Sequence, residues 1–262
     1  MLKFRPFVIA ASTATVLCAP PAQALDSRII NADGASYRAV TINTASELLE
    51  LRWKDDEGKP IASIQQLRDG SASNGRVLLF AANAGIYDKS LRPLGLHIEA
   101  GKTLRSLNTV QGNPGSGNFS IPPNGVFWVD IGGKAGVTST AEWHESPRQA
   151  SVASQSGPML VIDGEINPRF DVESDSVKWR SGVCAPTLDR VEFVVSLAPV
   201  SFHAFASMFR DGLKCRDALY LDGSLSRIWT ADNGYSGAPA FMVKPYVGMF
   251  AVFAAGVPSS GD

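Results

Sequence analysis

Apolar and polar positions along this chain alternate mostly with the period of a strand, and only twice with that of a helix. Residues 37–42 and 47–54 read as strands, the second with Leu49, Leu51 and Trp53 alternating against charged neighbours. Short apolar runs at 76–82, 94–99, 126–130, 159–162, 191–197 and 218–221 are bounded by turn formers and read as further strands. Residues 102–107 are placed to pair with 94–99, and 138–144 reads as another extended segment. Helical spacing occurs at 63–70, where Ser63 and Gln66 form a capping box and Gly70 ends the run. It recurs at 201–211, where Phe202, Phe205, Ala206 and Phe209 share one face and Ser201 is the cap. No repeat or low-complexity block divides the chain. The pattern predicts one α+β domain with a mixed, largely antiparallel sheet and a few helices.

The first 24 residues break this pattern. Lys3 and Arg5 precede an apolar stretch at 7–17, and Ala22-Gln23-Ala24 fits a small-x-small cleavage site. The apolar stretch is short for a bilayer span. Residues 1–24 are therefore expected to be a signal peptide, leaving a 25–262 domain that is periplasmic or secreted and has no membrane span. Losing Lys3 and Arg5 takes the formal charge from −1 to −3. That balance, with no basic run, gives no footprint for a nucleic-acid partner. At 45% hydrophobic and 19% charged residues, the chain has the composition of a globular protein with a full core. Cys184 and Cys215 remain after cleavage, and in an oxidising compartment they are expected to pair.

Candidate chemistry collects where strands end. Asp222-Gly223-Ser224-Leu225-Ser226 follows the 218–221 strand and delivers a carboxylate, a glycine and two hydroxyls. It reads either as a plain turn with a cap or as a reactive loop on a rigid scaffold. Asn83 ends the 76–82 strand as a turn former or as an amide aimed into a cleft. Arg180 carries a planar donor fork suited to an oxyanion or to a structural ion pair. His203 lies off the centre of its helix face, structural or site-lining. Asp163-Gly164 is a hairpin turn signal, and Gln111 to Phe119 is a glycine-rich loop without a phosphate-loop spacing. No Gly-x-Ser-x-Gly elbow, His-Glu-x-x-His helix or Walker loop occurs. No spacing marks a metal site. A divalent cation, Ca or Mg, is compatible with Asp222 and neighbouring oxygens, but nothing in the chain requires a cofactor.

Five segments together resemble the phosphodiester glycosidase family, which includes the enzyme that uncovers mannose 6-phosphate. They are Asn83-Ala84-Gly85-Ile86-Tyr87, Pro123-Asn124-Gly125-Val126-Phe127, Gln155-Ser156-Gly157-Pro158-Met159-Leu160, Arg180-Ser181-Gly182-Val183 and Ala218-Leu219-Tyr220-Leu221-Asp222-Gly223-Ser224-Leu225-Ser226. The order matches, and the likeness is nearest to a bacterial exported branch. It implies cleavage between a sugar's anomeric carbon and a phosphodiester oxygen, with a glycan or sugar phosphate as partner. Asp222, Asn83 and Arg180 take the catalytic positions, while Gly85, Gly157, Gly182, Gly223, Ser224, Ser226 and His203 line the substrate. A second carboxylate is not identified, Asp163 and Glu165 being the nearest by motif. The chain departs from the family in having Ala84 where glycine is common and Ser224-Leu225-Ser226 in place of a glycine-rich run. A non-catalytic glycan-binding or peptidoglycan-binding module and a P–O phosphodiesterase are the alternatives that this reading leaves open.

Overall fold

The computed structural model describes residues 25–110, 117–221, 226–242 and 244–254. The expected signal peptide, most of the glycine-rich loop, and Asp222, Gly223 and Ser224 lie outside those residues. Three antiparallel sheets share one core. The first contains β1 (Ser27–Ala32), β2 (Ala35–Asn43), β10 (Met159–Ile162), β11 (Glu165–Ile166), β12 (Ser181–Thr187), β13 (Arg190–Ser196) and β14 (Ala218–Tyr220). Its spatial order is β1-β2-β13-β12-β14-β10-β11. The second has the order β16-β15-β4-β17-β3, formed by Gly234–Gly237, Arg227–Thr230, Leu78–Asn83, Met249–Phe253 and Leu49–Arg52. The third has the order β6-β5-β9-β7-β8, formed by Lys102–Arg105, His97–Glu99, Ala150–Ser156, Gly125–Asp130 and Ala135–Ser139.

Strand alternation explains how the sheets close on each other, because successive side chains point to opposite faces. In β2, Val40 and Ile42 enter the shared core, while Tyr37 and Ala39 face the other way. The shared core joins Val183, Phe193 and Leu219 of the first sheet, Phe80, Ile228 and Phe250 of the second, and Phe127 and Val152 of the third. Each outer face is covered by one helix: α3 (Phe202–Ser207) through Phe205, α1 (Ile64–Ser73) through Ile64 and Leu67, and α2 (Thr140–Glu145) through Trp143.

The single α+β domain matches the sequence expectation, and four details correct it. Residues 138–144 do not stay extended. Ser139 and Glu142 form a reciprocal capping box that starts α2, making three α-helices among the described residues. Residues 181–187, left without an element by the apolar pattern, form β12 between β13 and β14. Residues 150–156 form β9, a central strand hidden by its serines and glutamine. Helix α1 runs past Gly70 to Ser73, and the left-handed turn falls at Gly75, φ +71°. The Asp163-Gly164 turn is as expected, with both residues at positive φ between β10 and β11. Cys184 and Cys215 are joined, tying β12 to the approach to β14. Among the described residues, no helix is long and apolar enough to cross a membrane.

Candidate active site

Backbone and side-chain bonds draw the five motif segments to the end of β14. The amide of Tyr220 donates to the carbonyl of Pro158 at 3.0 Å, and that of Leu221 to Ser181 at 2.9 Å. The amide of Met159 donates to Pro123 at 2.8 Å. Asn83 ends β4 in the second sheet, and its Oδ1 bridges to the first, accepting from Ser181 Oγ at 3.0 Å. The same oxygen accepts from the amide of Arg227 at 3.2 Å. Ser226 Oγ donates to the carbonyl of Trp179 at 3.2 Å. Asn83, Ser181, Leu221 and Ser226 are all buried. The residues that flank Asp222-Gly223-Ser224-Leu225 on both sides are thus pinned at this junction.

Arg180 precedes Ser181 but sends its side chain elsewhere. Its guanidinium is 1% exposed and packs over the Phe202 ring at 3.5 Å. Nε donates to the carbonyl of Val200 at 2.8 Å, and the two terminal nitrogens reach the Ser176 carbonyl at 3.2 Å and the Tyr220 hydroxyl at 3.5 Å. Burial pulls its pKa down, and the neighbouring Tyr220 partly offsets this. Among the described residues no carboxylate pairs with it. Its charge is held beside β14 by carbonyls and rings. His203 is half-buried on α3, next to Phe202, and among the described residues no hydrogen bond joins it to Arg180.

The motif glycines stand where backbones approach closely. A Cβ on Gly85 would collide with the Gln155 carbonyl, and one on Gly157 with Oδ1 of Asn124. At Gly182 it would lie 3.0 Å from the Leu219 carbonyl oxygen and the Phe209 ring. Each permits one strand end to press on another. Asn124 Oδ1 and Ser156 Oγ, in the same cluster, are buried and have no hydrogen-bond partner among the described residues.

A cleft of about 60 Å³ opens beside Asn83, walled by Gly85, Tyr87, Asp88, Pro245 and Tyr246. Tyr87 leads from it into a polar chain. Its hydroxyl meets His97 Nδ1 at 3.2 Å, and His97 Nε2 meets Glu99 Oε1 at 2.6 Å. Burial and the Glu99 charge push the Tyr87 phenol well above its ordinary pKa, so it stays a neutral phenol. Larger cavities of about 530 and 490 Å³ flank β3, away from this junction, and mix Arg52, Asp56 and Lys59 with Leu48 and Glu99.

The family model described as phosphodiester glycosidase (NAGPA) matches residues 76–246, which contain all five segments. The chain belongs to the phosphodiester glycosidase family. The uncharacterized protein YigE of Escherichia coli (strain K12) is 34% identical over 231 residues, covering 88% of this chain and 87% of YigE. A zebrafish structure, the N-acetylglucosamine-1-phosphodiester alpha-N-acetylglucosaminidase catalytic domain auto-inhibited by its pro-peptide, superposes with TM-score 0.60 at 14% identity. That match covers 87% of this chain and 81% of the zebrafish chain. A hypothetical protein from Synechocystis gives TM-score 0.53, also at 14% identity, over 88% and 62% of the respective chains. At these identities the two structures share the fold. As a phosphodiester glycosidase family member, the chain is placed among glycosidase-type hydrolases.

Ser181, Asn124, Ser156 and Tyr87 lie inside the family segments without an assigned role there, and Arg227 lies just outside them. Ser181 was legible only once β12 is recognised as a strand, since the partner of its hydroxyl lies 98 positions away. Arg227 follows the 222–226 segment directly, and its position there was the available signal.

Proposed function

We propose that the chain is an exported hydrolase of the bacterial branch of its family. It cleaves the bond between a sugar's anomeric carbon and a phosphodiester oxygen in an envelope or extracellular glycan. The observation that carries this reading is the convergence of the five family segments, from all three sheets, on the exit of β14, where they are bonded to one another. In the reaction, the C–O bond breaks and its electron pair leaves with the phosphoryl oxygen as a phosphomonoester. Water supplies the new oxygen at the anomeric carbon, and its proton passes to Asp222 and on to solvent. Phosphate leaves readily, so the protein's larger task is to stabilise charge. Asn83 orients the substrate from a rigid strand end, Arg180 adds positive charge beside β14, and Ser224 or Ser226 contributes a hydroxyl. No cofactor enters this reaction scheme, and EDTA with Ca²⁺ or Mg²⁺ add-back measures any dependence.

The test is release of reducing sugar from an N-acetylglucosamine 1-phosphodiester by the mature protein, beside Asp222→Asn. Turnover by the wild type and its loss in the variant are the expected results. Equal turnover in both refutes the role of Asp222. Retained glycan binding without turnover on a panel of sugar phosphodiesters points to a binding module, and a sugar phosphate product points to P–O cleavage.

A further inference from the structure

Arg227 occupies a position that the family segments do not reach. It opens β15 immediately after Ser226, and its amide is bonded to Oδ1 of Asn83, so its backbone is fixed to the candidate site. Its side chain lies over the ring of Tyr235 on the neighbouring strand β16, 4.0 Å from the ring centre. Tyr235 is 41% exposed, which puts this clasp at the edge of the molecule, where a ligand can reach it. Stacking on a ring fixes one face of a guanidinium and leaves its donor edges available.

Among the described residues those edges have no hydrogen-bond or ion-pair partner. Among the described residues no carboxylate lies within ion-pair distance of Arg227, and its buried Nε has no acceptor. Arg180 differs, because its donors are directed to the Val200 and Ser176 carbonyls and to Tyr220. A held arginine without an anion is a recognition element waiting for one. The Arg227 charge also reaches Tyr246, a wall of the cleft beside Asn83, where it partly offsets the upward push of burial on that phenol.

We propose that Arg227, clasped by Tyr235, is the residue that reads the phosphoryl group of the substrate. This rests on the sugar-phosphodiester reading above for the identity of the anion. The planar fork presents two parallel donors to the non-bridging phosphoryl oxygens and keeps them there as the leaving oxygen gains charge. Arg227 thereby selects phosphorylated over neutral glycosides.

Isothermal titration of the full mature chain measures this directly. The probes are N-acetylglucosamine 1-phosphate and the uncharged methyl N-acetylglucosaminide. Arg227→Met is expected to weaken the phosphate probe by about ten- to a hundredfold, the range of a lost charged hydrogen bond, and to leave the methyl glycoside unchanged. Arg227→Lys keeps the charge without the fork and is expected to fall between the two, as is Tyr235→Leu, which removes the clasp. Lys102→Met, an exposed cation on β6, controls for net charge and is expected to bind like the wild type. The proposal is overturned if Arg227→Met binds the phosphate probe as the wild type does, or if both probes weaken equally. It also fails if the wild type does not bind the phosphate probe at millimolar concentration. Sugar release with a KM unmoved by Arg227→Met keeps the hydrolase and sinks the role of Arg227. Phosphate binding that depends on Arg227 without any turnover does the reverse.

Discussion

Replacing Asn83 with Leu tests whether the two sheets are joined through this one amide. Its Oδ1 accepts from Ser181 Oγ at 3.0 Å and from the Arg227 amide at 3.2 Å, and the side chain is 2% exposed. Leucine has similar bulk and accepts nothing, so two buried donors lose their partner. Each stranded donor costs about 1–3 kcal/mol, so the loss is about 2–6 kcal/mol. This is a large share of the ~5–15 kcal/mol that holds a typical domain together. Urea unfolding with the disulfide intact reads the change as a lower midpoint at constant slope. Ser181→Ala removes one donor and leaves the Arg227 amide bonded, at a cost of about 0.5–1.5 kcal/mol. Combined with Asn83→Leu, the alanine should cost about 1 kcal/mol less than it does alone, because the hydroxyl it removes is already stranded. Asn83→Asp keeps the oxygen that accepts both bonds and is expected to fold while losing sugar release. An Asn83→Leu protein within about 0.5 kcal/mol of wild type, the usual effect of a neutral surface change, would refute the bridging role.

Two further outcomes follow from the structure. Removing the Cys184–Cys215 bond by alanine substitution at both positions frees a segment of sequence separation 31 in the unfolded chain, and a loop of that length is worth about 3–4 kcal/mol in chemical denaturation; an unchanged midpoint argues against the tether. Asp217 is half-buried, and burial, the largest influence, raises its carboxyl pKa despite the Asp163 amide bonded to it at 3.0 Å. A raised folded-state pKa favours the native state while the group is protonated, and that contribution is lost as pH rises through the folded pKa. Asp217→Asn should therefore gain stability relative to wild type at pH 7 and lose the advantage below the ordinary carboxylate range, as thermal melts across pH will show.

Much of the fold was legible because alternation is a local property. Leu49 and Leu51 marked β3, Val126 to Val129 marked β7, and Ser63 marked the start of α1 from neighbours within a few positions. The two missed strands share one cause. The 150–156 and 181–187 segments are central strands built from Ser, Gly, Gln and Ala, whose burial comes from distant partners and not from their own hydrophobicity. Ser181 is buried because Asn83 needs its hydroxyl, and Gly182 is small because Phe209 and Leu219 press on it. The candidate site was legible as a set of polar strand ends. Arg180 illustrates what remained hidden, since the sequence cannot say that its donors turn toward Val200 and Ser176. The opposite holds at Arg227, whose availability emerges only when Tyr235 is placed beneath it.

The pairing of β4 has a consequence for how the protein comes into being. One edge of β4 is covered by β15 and the other by β17, with Ala82 opposite Ile228 on one side and Asn83 opposite Met249 on the other. Both covering strands follow β4 and β14 in the chain and are synthesised after them. Until then the strand that carries Asn83 has two open edges, and the junction around Leu221 has no second sheet to close it. The junction is therefore complete only once β17, the last strand among the described residues, has paired with β4. A stop codon ahead of Met249 would uncover that edge of β4 at the candidate site without changing Asn83, Ser181 or Arg227.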